Sequence, residues 1–250
     1  MSEGVSGRDA TRSRIVEVAA QLLQGAGPGA VTTRAVAAEA GVQAPTIYRL
    51  FGDKDGLLEA VAEHVMAAFV RAKAEHERAS SEAGTDPLED FRASWRAQVD
   101  FGLANPGLFR LLSDPDRVVG SPAAQAGLRV LESRVHRLAA TGRLRVGEAT
   151  AVAMVQAAGQ GTIQLLLATP PARRDPALAE RMLDAVLAQV LVPADPEADA
   201  HAHADADASG RTATAHAVAL RALAPRLEVL TDAERGVLVE WLDRVVGAGG

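Results

Sequence analysis

Residues 33–51 read TRAVAAEAGVQAPTIYRLF, and this stretch decides how the rest of the chain is interpreted. Thr33 is a good N-cap for a short helix, and Gly41 ends that helix, because glycine accepts the backbone angles of a tight turn. A second short helix begins near Ala44 and Pro45, since a proline in the first turn loses no hydrogen bond. Two short helices joined by a glycine turn, early in a helical chain, predict a helix-turn-helix, the motif whose second helix enters the DNA major groove.

The two sides of the predicted second helix support this interpretation. Val42, Ile47 and Leu50 supply an apolar side that packs inward. Gln, Thr and Arg side chains contact base edges or phosphates, and a Tyr hydroxyl reaches a phosphate while its ring braces the helix. The positions expected to point at least partly outward are Gln43, Ala44, Thr46, Tyr48 and Arg49.

Composition narrows the class of protein. Of the 250 residues, 48% are hydrophobic and only 3% are aromatic, and alternating strand patterns are scarce, so we expect an all-α fold. The absence of cysteine excludes disulfides and thiolate metal sites. The N-terminal segment lacks the apolar core of a signal peptide, and no uninterrupted apolar run is long enough to span a membrane. We therefore expect a cytoplasmic protein without a membrane partner.

Charge adds a constraint on any nucleic-acid partner. The net charge of −6 argues against a protein that coats nucleic acid, but a site-specific binder needs only a local basic patch. Residues 1–63 carry six basic and eight acidic side chains, so binding must depend on where the basic ones lie. Arg8, Arg12 and Arg14 are expected to add flexible phosphate contacts.

Helical spacing and helix breakers divide the chain into segments. We predict a helix-turn-helix domain at 9–69, a larger helical domain at 86–192 and a C-terminal helical extension at 211–247. Residues 193–210 contain five acids and no apolar side chain larger than alanine, which predicts a flexible acidic linker. The predicted helices are 9–24, 33–40, 44–51, 54–78, 88–104, 106–112, 122–140, 146–168, 175–191, 215–223 and 231–246.

The stretch TTRAVAAEAGVQAPTIYRLFGDKDGLLEAV, Thr32–Val61, closely resembles the DNA-binding segment of the TetR family of bacterial transcriptional regulators. The resemblance extends over about residues 9–65. It implies a homodimeric repressor whose second short helix enters the major groove, and whose larger helical domain binds a small-molecule effector and dimerises. The matching positions are Thr33-Arg34, Ala40-Gly41-Val42, Thr46-Ile47-Tyr48, Phe51 and Lys54.

Carried over position by position, the resemblance implies two sets of DNA contacts. The residues expected to hold backbone phosphates are Thr33, Arg34, Tyr48 and Lys54, the last together with the N-terminal dipole of its helix. The residues expected to face bases are Gln43, Ala44, Pro45, Thr46 and Arg49. Many relatives carry other residues at positions 43, 44 and 49, so the operator sequence does not transfer.

The second domain carries a resemblance of its own. Residues 90–112, DFRASWRAQVDFGLANPGLFRLL, are similar to the C-terminal regions of many TetR-type regulators, although an aromatic stripe of this kind is usually core. The residues implied to bind the effector are Trp95, Phe101, Phe109, Met154, Gln160 and Gln164. The amides of Gln156, Gln160 and Gln164 either orient a ligand or bond across a dimer interface, and Gly159 and Gly161 favour close helix approach in a dimer.

Helices 146–168 and 175–191 fit the family's dimerisation pair, and two copies would form a four-helix bundle. A two-fold dimer places two reading helices about one DNA turn apart, which implies double-stranded DNA with a near-palindromic operator. Effector binding would favour a spacing of the reading helices that mismatches the operator.

Two other classes of function stand beside the effector-controlled repressor. An enzyme is not indicated, because the chain has no HExxH motif, no glycine-rich phosphate loop and no useful cluster of acids and histidines. No cofactor is expected, and His201 and His203 would give at most a weak metal site in the linker. The alternative is a DNA-binding regulator controlled by a protein partner through its C-terminal helices, without a small-molecule effector. Their apolar stripe needs a partner: Val237, Leu238, Trp241, Leu242 and Val245.

Overall fold

The computed structural model describes residues 3–26, 28–112, 121–192 and 207–248. Within these residues the chain is helical, and the only strand-like pairing is an isolated bridge between Leu144 and Leu191. The predicted all-α class is confirmed. The helices are α1 (Glu3–Ala26), α2 (Thr33–Glu39), α3 (Ala44–Phe51), α4 (Lys54–Glu82), α5 (Pro87–Ala104), α6 (Pro106–Leu112), α7 (Pro122–Ala140), α8 (Glu148–Ala168), α9 (Leu178–Val190), α10 (Asp207–Leu223) and α11 (Asp232–Ala248).

The chain divides into two compact units. The first combines Met1–His76 with Ala104–Leu128, and the second combines Glu77–Leu103 with Arg129–Gly250. The first unit therefore contains α6 together with the N-terminal helices. The domain limits expected from the sequence remain predictions about which parts fold independently.

The core of the first unit holds the helix-turn-helix in place. One apolar side chain from each of α1, α2, α3 and α4 is fully buried there: Ile15, Val36, Ile47 and Leu57. Burying an aliphatic side chain of this size contributes about 1.5–3 kcal/mol. Because α3 has only eight residues, this shared core, rather than helix propensity, fixes its position.

Several helix ends differ from the sequence prediction, among them the start of α1 and the end of α4. Helix α1 begins at Glu3 rather than residue 9, so Arg8, which was expected to precede the helix, is helical. Helix α4 continues to Glu82, although the loop was expected from Ser80. Gly84, with φ of 69°, explains the longer helix, because Thr85 N–H donates to the Ser80 carbonyl oxygen in a glycine-terminated end.

In the second unit, three side chains of α5 attach it to α9. The Trp95 indole N–H donates to the Ala179 carbonyl oxygen at 3.0 Å, and Arg92 pairs with Asp184 at 2.7 Å. Arg96 pairs with Glu180 at 2.7 Å, and this hydrogen bond and charge raise the pKa of Arg96. The ring of Trp95 also fixes how closely α8 approaches, because a Cβ at Gly159 would lie 3.4 Å from it.

Buried charge links α5 to α7 in the same unit. The Asp90 carboxylate accepts from Arg134 at 3.1 Å and from Arg137 at 3.2 Å, and Asp90 and Arg134 are each almost completely buried. Removing one partner of a buried pair leaves an uncompensated charge, which typically costs about 3–5 kcal/mol. The cluster therefore specifies how α5 and α7 pack.

Helices α10 and α11 belong to the second unit. Val218 of α10 is buried, and Arg221 pairs with Glu148 of α8 at 3.8 Å and also contacts Asp243 of α11. Most of the predicted linker, 193–206, lies outside the described residues, but 207–210 are helical rather than linker. The alanine-rich sequence that follows explains this correction, because alanine is the strongest helix former.

Helix α11 begins as its sequence predicts. The Thr231 backbone N–H donates to the Glu234 carboxylate at 2.8 Å, and the Glu234 N–H donates to the Thr231 hydroxyl at 3.3 Å. The predicted capping box is confirmed. Farther along the helix, three apolar side chains of the predicted stripe remain exposed: Val237, Trp241 and Val245.

Helix α8 is long and apolar enough to cross a membrane by length and composition, and it is the one such helix among the described residues. The same properties are typical of a core helix in a soluble protein. One side of α8 is buried, including Val155, Thr162 and Ile163, whereas Gln160, Gln164 and Leu165 are exposed.

Candidate nucleic-acid interface

Helix α2 and the turn after it set the direction of α3. Thr32 is the N-cap of α2, because its hydroxyl accepts from the Ala35 N–H at 3.1 Å, so the predicted cap at Thr33 is one residue too late. Gly41 has φ of 64°, which favours glycine. Val42 N–H then donates to the Ala37 carbonyl oxygen at 2.9 Å and closes the turn. This places two short helices against each other as a helix-turn-helix.

Helix α3 has one anchored side and one exposed side. Ile47 is fully buried, and Thr46 and Ala44 are partly buried. Gln43 is the N-cap but makes no side-chain capping bond, so its amide is not used in holding the helix. The exposed residues on and beside α3 are Gln43, Pro45, Tyr48 and Arg49.

Tyr48 connects the exposed side of α3 to α2. Its hydroxyl lies 3.4 Å from the Thr33 hydroxyl, and the side chain is 52% exposed. Because Thr32 caps α2, the Thr33 hydroxyl is available for this contact. Arg34 is exposed on the next position of α2. The structure therefore brings the predicted phosphate contacts Thr33 and Tyr48 together.

The start of α4 presents Lys54. Asp53 caps this helix as predicted, because its carboxylate accepts from the Gly56 N–H at 2.8 Å. Gly52, with φ of 81°, allows the sharp corner between α3 and α4. Lys54 is exposed as the first residue of α4, where its charge and the helix dipole both favour an anion.

The N-terminal half of α1 contributes arginines that were expected to contact phosphates, but the sequence did not predict that they lie beside α3. Arg12 lies over the Phe51 ring at 5.2 Å, a cation–π contact that joins α1 to the end of α3. An open cleft of about 490 Å³ separates the two helices nearby, and both Arg8 and Thr11 of α1 line it. The sequence feature that could have identified the pair is the i, i+3 spacing of Arg8 and Thr11. This spacing places both side chains on one side of α1 when the helix begins at Glu3.

Comparison with known proteins agrees with this geometry. The sequence model of the bacterial regulatory proteins of the tetR family matches residues 15–61, which contain α2, the turn, α3 and the start of α4. This match places the segment 15–61 in the TetR family. It is similar to the HTH-type transcriptional regulator BetI of Burkholderia thailandensis, with 34% identity over 93 residues, or 37% of this chain and 46% of that protein. The chain thus matches about half the length of these curated TetR-family relatives.

Solved structures share the TetR-family fold over a larger part of the chain. FadR of Thermus thermophilus, described as a TetR-family repressor in complex with lauroyl-CoA, aligns with a TM-score of 0.55 and 21% identity, over 74% of this chain and 97% of its own. RolR in complex with resorcinol aligns with a TM-score of 0.55 and 22% identity, over 74% of this chain and 90% of its own. About a quarter of this chain therefore has no counterpart in either structure.

The residues predicted to bind an effector lie in different surroundings. Trp95 is buried, with its indole N–H bonded to the Ala179 carbonyl oxygen, and Met154 and Phe101 are partly buried. Phe109 belongs to the first unit, whereas the others belong to the second. Gln160 and Gln164 are exposed on α8 rather than on its buried side.

The two glycines of α8 also lie in different surroundings, one buried and one exposed. Gly159 packs against Trp95, so the expectation that it mediates subunit contact is wrong. Gly161 is exposed, and a Cβ there would meet no atom within 4 Å. The exposed side of α8 thus combines small and amide residues, which favours the dimer-interface interpretation of Gln160 and Gln164.

Proposed function

We propose that this TetR-family protein is a cytoplasmic, homodimeric, sequence-specific DNA-binding repressor that a small apolar or amphipathic effector releases from its operator. The observation that supports it best is α3, a short helix anchored by Ile47 that leaves Gln43, Tyr48 and Arg49 exposed. A helix presented in this way fits the major groove, which admits one α-helix.

The roles within this interface follow from exposure and chemistry. Gln43, Thr46 and Arg49 contact base edges, with Ala44 and Pro45 at the start of the helix beside them. Tyr48 and Thr33 hold one phosphate through paired hydroxyls, whose 3.4 Å separation lets both approach the same oxygen. Arg34 and Lys54 add charge at the backbone, and Lys54 does so beside the N-terminal dipole of α4.

The proposed dimer rests on the exposed sides of α8 and α9. Leu165 is 56% exposed and Met182 is 39% exposed, on two helices that pack together in the second unit. Gly161 lies one helical turn before Leu165 and permits close approach of a second copy, and Gln164 is exposed next to Leu165. Two copies form a four-helix bundle and require a near-palindromic operator.

The proposed effector is a small molecule of apolar or amphipathic character. Support comes from the buried Trp95 and the partly buried Phe101 and Met154, which are apolar side chains of the second unit, and from proteins of the same fold bound to lauroyl-CoA and to resorcinol. The two ligands differ greatly in size, so the fold does not select one ligand. If the effector weakens DNA binding, DNA must weaken effector binding by the same factor.

One observation favours a second candidate, control by a protein partner. Trp241 of α11 is 59% exposed, between Val237 and Val245 on the same side of the helix. Deleting the C-terminal helices would remove buried Val218 and the pairing of Arg221 with Glu148 of α8, so a point variant is the better test. We expect Trp241→Asp to leave effector-induced release of DNA unchanged. A wild type that no small molecule releases from DNA, and whose regulation in cells Trp241→Asp alters, would favour the partner-controlled alternative.

A footprint on the protein's own upstream region, at two salt concentrations, tests the proposed function. We expect a protected near-palindrome that persists at the higher salt, because base contacts add affinity that counterion release does not supply. Affinity for random DNA equal to that for every tested promoter region would contradict the proposal.

A further inference from the structure

The cleft between α1 and α3 is lined in part by side chains of α1 that the helix-turn-helix motif does not account for. It is open to solvent and has a volume of about 490 Å³. Its lining residues come from the first turns of α1 and from α3: Gly7, Arg8, Thr11, Thr46, Arg49 and Leu50. Gly7 contributes no side chain, which keeps the opening on the α1 side wide.

The lining suits an anion. Arg8 and Arg49 bring two guanidinium groups to one opening, and none of the six lining residues is acidic. Guanidinium groups are planar donors that match the geometry of phosphate oxygens. The Thr11 hydroxyl donates to the Gly7 carbonyl oxygen at 2.8 Å, so it orders the turn that carries Arg8 rather than binding a ligand.

The cleft lies on the side of α3 away from Tyr48. At 100° per residue, the shared direction of Thr46, Arg49 and Leu50 is roughly 150° around the helix axis from Tyr48. Tyr48 contacts Thr33 of α2, whereas the cleft is formed with α1. Helix α3 therefore has one phosphate-binding set on each side.

Two sets on opposite sides fit the geometry of a major groove, because a sugar-phosphate backbone runs along each of its edges. We propose that the cleft binds a backbone phosphate of the DNA strand opposite the one held by Thr33 and Tyr48, with Arg8 as its principal ligand. Arg49 at the cleft edge adds positive potential, and Thr46 remains a base contact. This inference rests on the proposed DNA-binding function.

Arg8 has a matched control in the same helix. Arg14 is also an exposed arginine of α1, and it does not line the cleft. Arg8→Gln and Arg14→Gln therefore remove the same charge from the same helix. Arg8→Lys keeps the charge at the cleft and loses only the planar donor geometry. Because both arginines are exposed, thermal unfolding of all three variants should match that of the wild type.

The test is DNA affinity as a function of salt, on the operator that the footprint defines. Each lost phosphate contact lowers the slope of log affinity against log salt by about 0.9, so Arg8→Gln should lower it by about 1.8 for a dimer on two half-sites. We expect roughly tenfold weaker binding at low salt, the same preference among base-substituted operators, and a near-normal slope for Arg8→Lys. Arg14→Gln should leave the slope close to that of the wild type.

The outcomes separate this inference from the proposed function. If the wild-type protein binds no DNA in preference to random sequence, the proposed function fails. If the wild type binds its operator but Arg8→Gln and Arg14→Gln have equal slopes, only the phosphate cleft is overturned. A change in base preference caused by Arg8→Gln would also overturn it, because a phosphate contact carries no direct sequence information.

Discussion

At the scale of single residues, neighbouring side chains of α3 have different proposed roles in DNA binding. Tyr48→Phe removes a hydroxyl that lies 3.4 Å from that of Thr33, and it leaves the ring in place. We expect roughly tenfold weaker binding on every DNA sequence, because a hydrogen bond to a charged phosphate is lost and no base contact changes. Fluorescence anisotropy against the operator and its base-substituted forms measures this. A different loss on different sequences would contradict the phosphate role.

Substitution of Gln43 is expected to change the preference among DNA sequences, unlike Tyr48→Phe. Its amide is exposed and makes no capping bond, so Gln43→Ala should not change the stability of α3 through capping. Loss of an amide contact to a base edge should change discrimination at one operator position by about 1–3 kcal/mol. The measurement is a binding profile over all single-base substitutions of the operator, and Tyr48→Phe is the control. A Gln43→Ala profile identical to that of the wild type would remove Gln43 from the base contacts.

Gly56 limits the substitutions that the corner between α3 and α4 accepts. A Cβ at this position would lie 2.1 Å from the Phe51 carbonyl oxygen, and backbone cannot move aside as a side chain can. Gly56→Ala should destabilise the fold by about 3 kcal/mol, at the upper end of overpacking costs. Denaturant unfolding measures this. Gly236→Ala, at a helical position with no atom within 4 Å of the new Cβ, is the control and should be neutral or slightly stabilising. Equal stability of the two variants would contradict the clash.

The sequence predicts some of these residues and not others, for physical reasons. Ile47 and Tyr48 were assigned correctly to the buried and exposed sides, because helical periodicity in a short helix leaves few alternatives. Thr32 and Thr33 are chemically identical, so only the hydrogen bond from Ala35 identifies the cap. The position of Arg8 beside α3 could not be predicted, because the two sides of the cleft lie far apart in the sequence.

At the scale of elements, helix bounds were predictable where a strong local signal ends the helix. Helix α3 ends before Gly52, and α11 begins at a capping box, both as expected. The start of α10 was not predictable, because the acidic, alanine-rich segment before it fits both a linker and a helix. The choice there depends on packing of the later turns, such as buried Val218, which local sequence does not report.

The capping box of α11 gives a pH-dependent prediction. Hydrogen bonds from the backbone N–H and hydroxyl of Thr231 lower the pKa of Glu234. A lowered carboxyl pKa means that the charged form stabilises the fold above the ordinary glutamate pKa. This stabilisation is lost as pH falls through the lowered value. NMR titration of Glu234 should show the lowered pKa, and Thr231→Ala, which keeps the backbone N–H, should reverse part of the shift. An unchanged pKa in Thr231→Ala would contradict the role of the hydroxyl.

At the scale of the whole molecule, the proposed function depends on two copies. The exposed side of α8 has the small and amide residues Gly161, Gln160 and Gln164, with Leu165 beside them. An apolar residue exposed next to a glycine on a packed helix is typical of a surface that a second helix covers. The sequence predicted a dimerisation role for this helix, but only the structure separates its buried Gly159 from its exposed Gly161.

Leu165→Arg tests the dimer directly. The side chain is 56% exposed within one chain, so the substitution should leave the fold of a single copy intact while placing two charges at the centre of the proposed interface. We expect a monomer by sedimentation velocity and a large loss of affinity for the palindromic operator, because the two half-sites no longer bind as one unit. Val229→Arg is the control, since Val229 is 89% exposed and lies outside α8 and α9. A Leu165→Arg protein that remains dimeric and binds the operator as the wild type does would exclude this side of α8 from the interface.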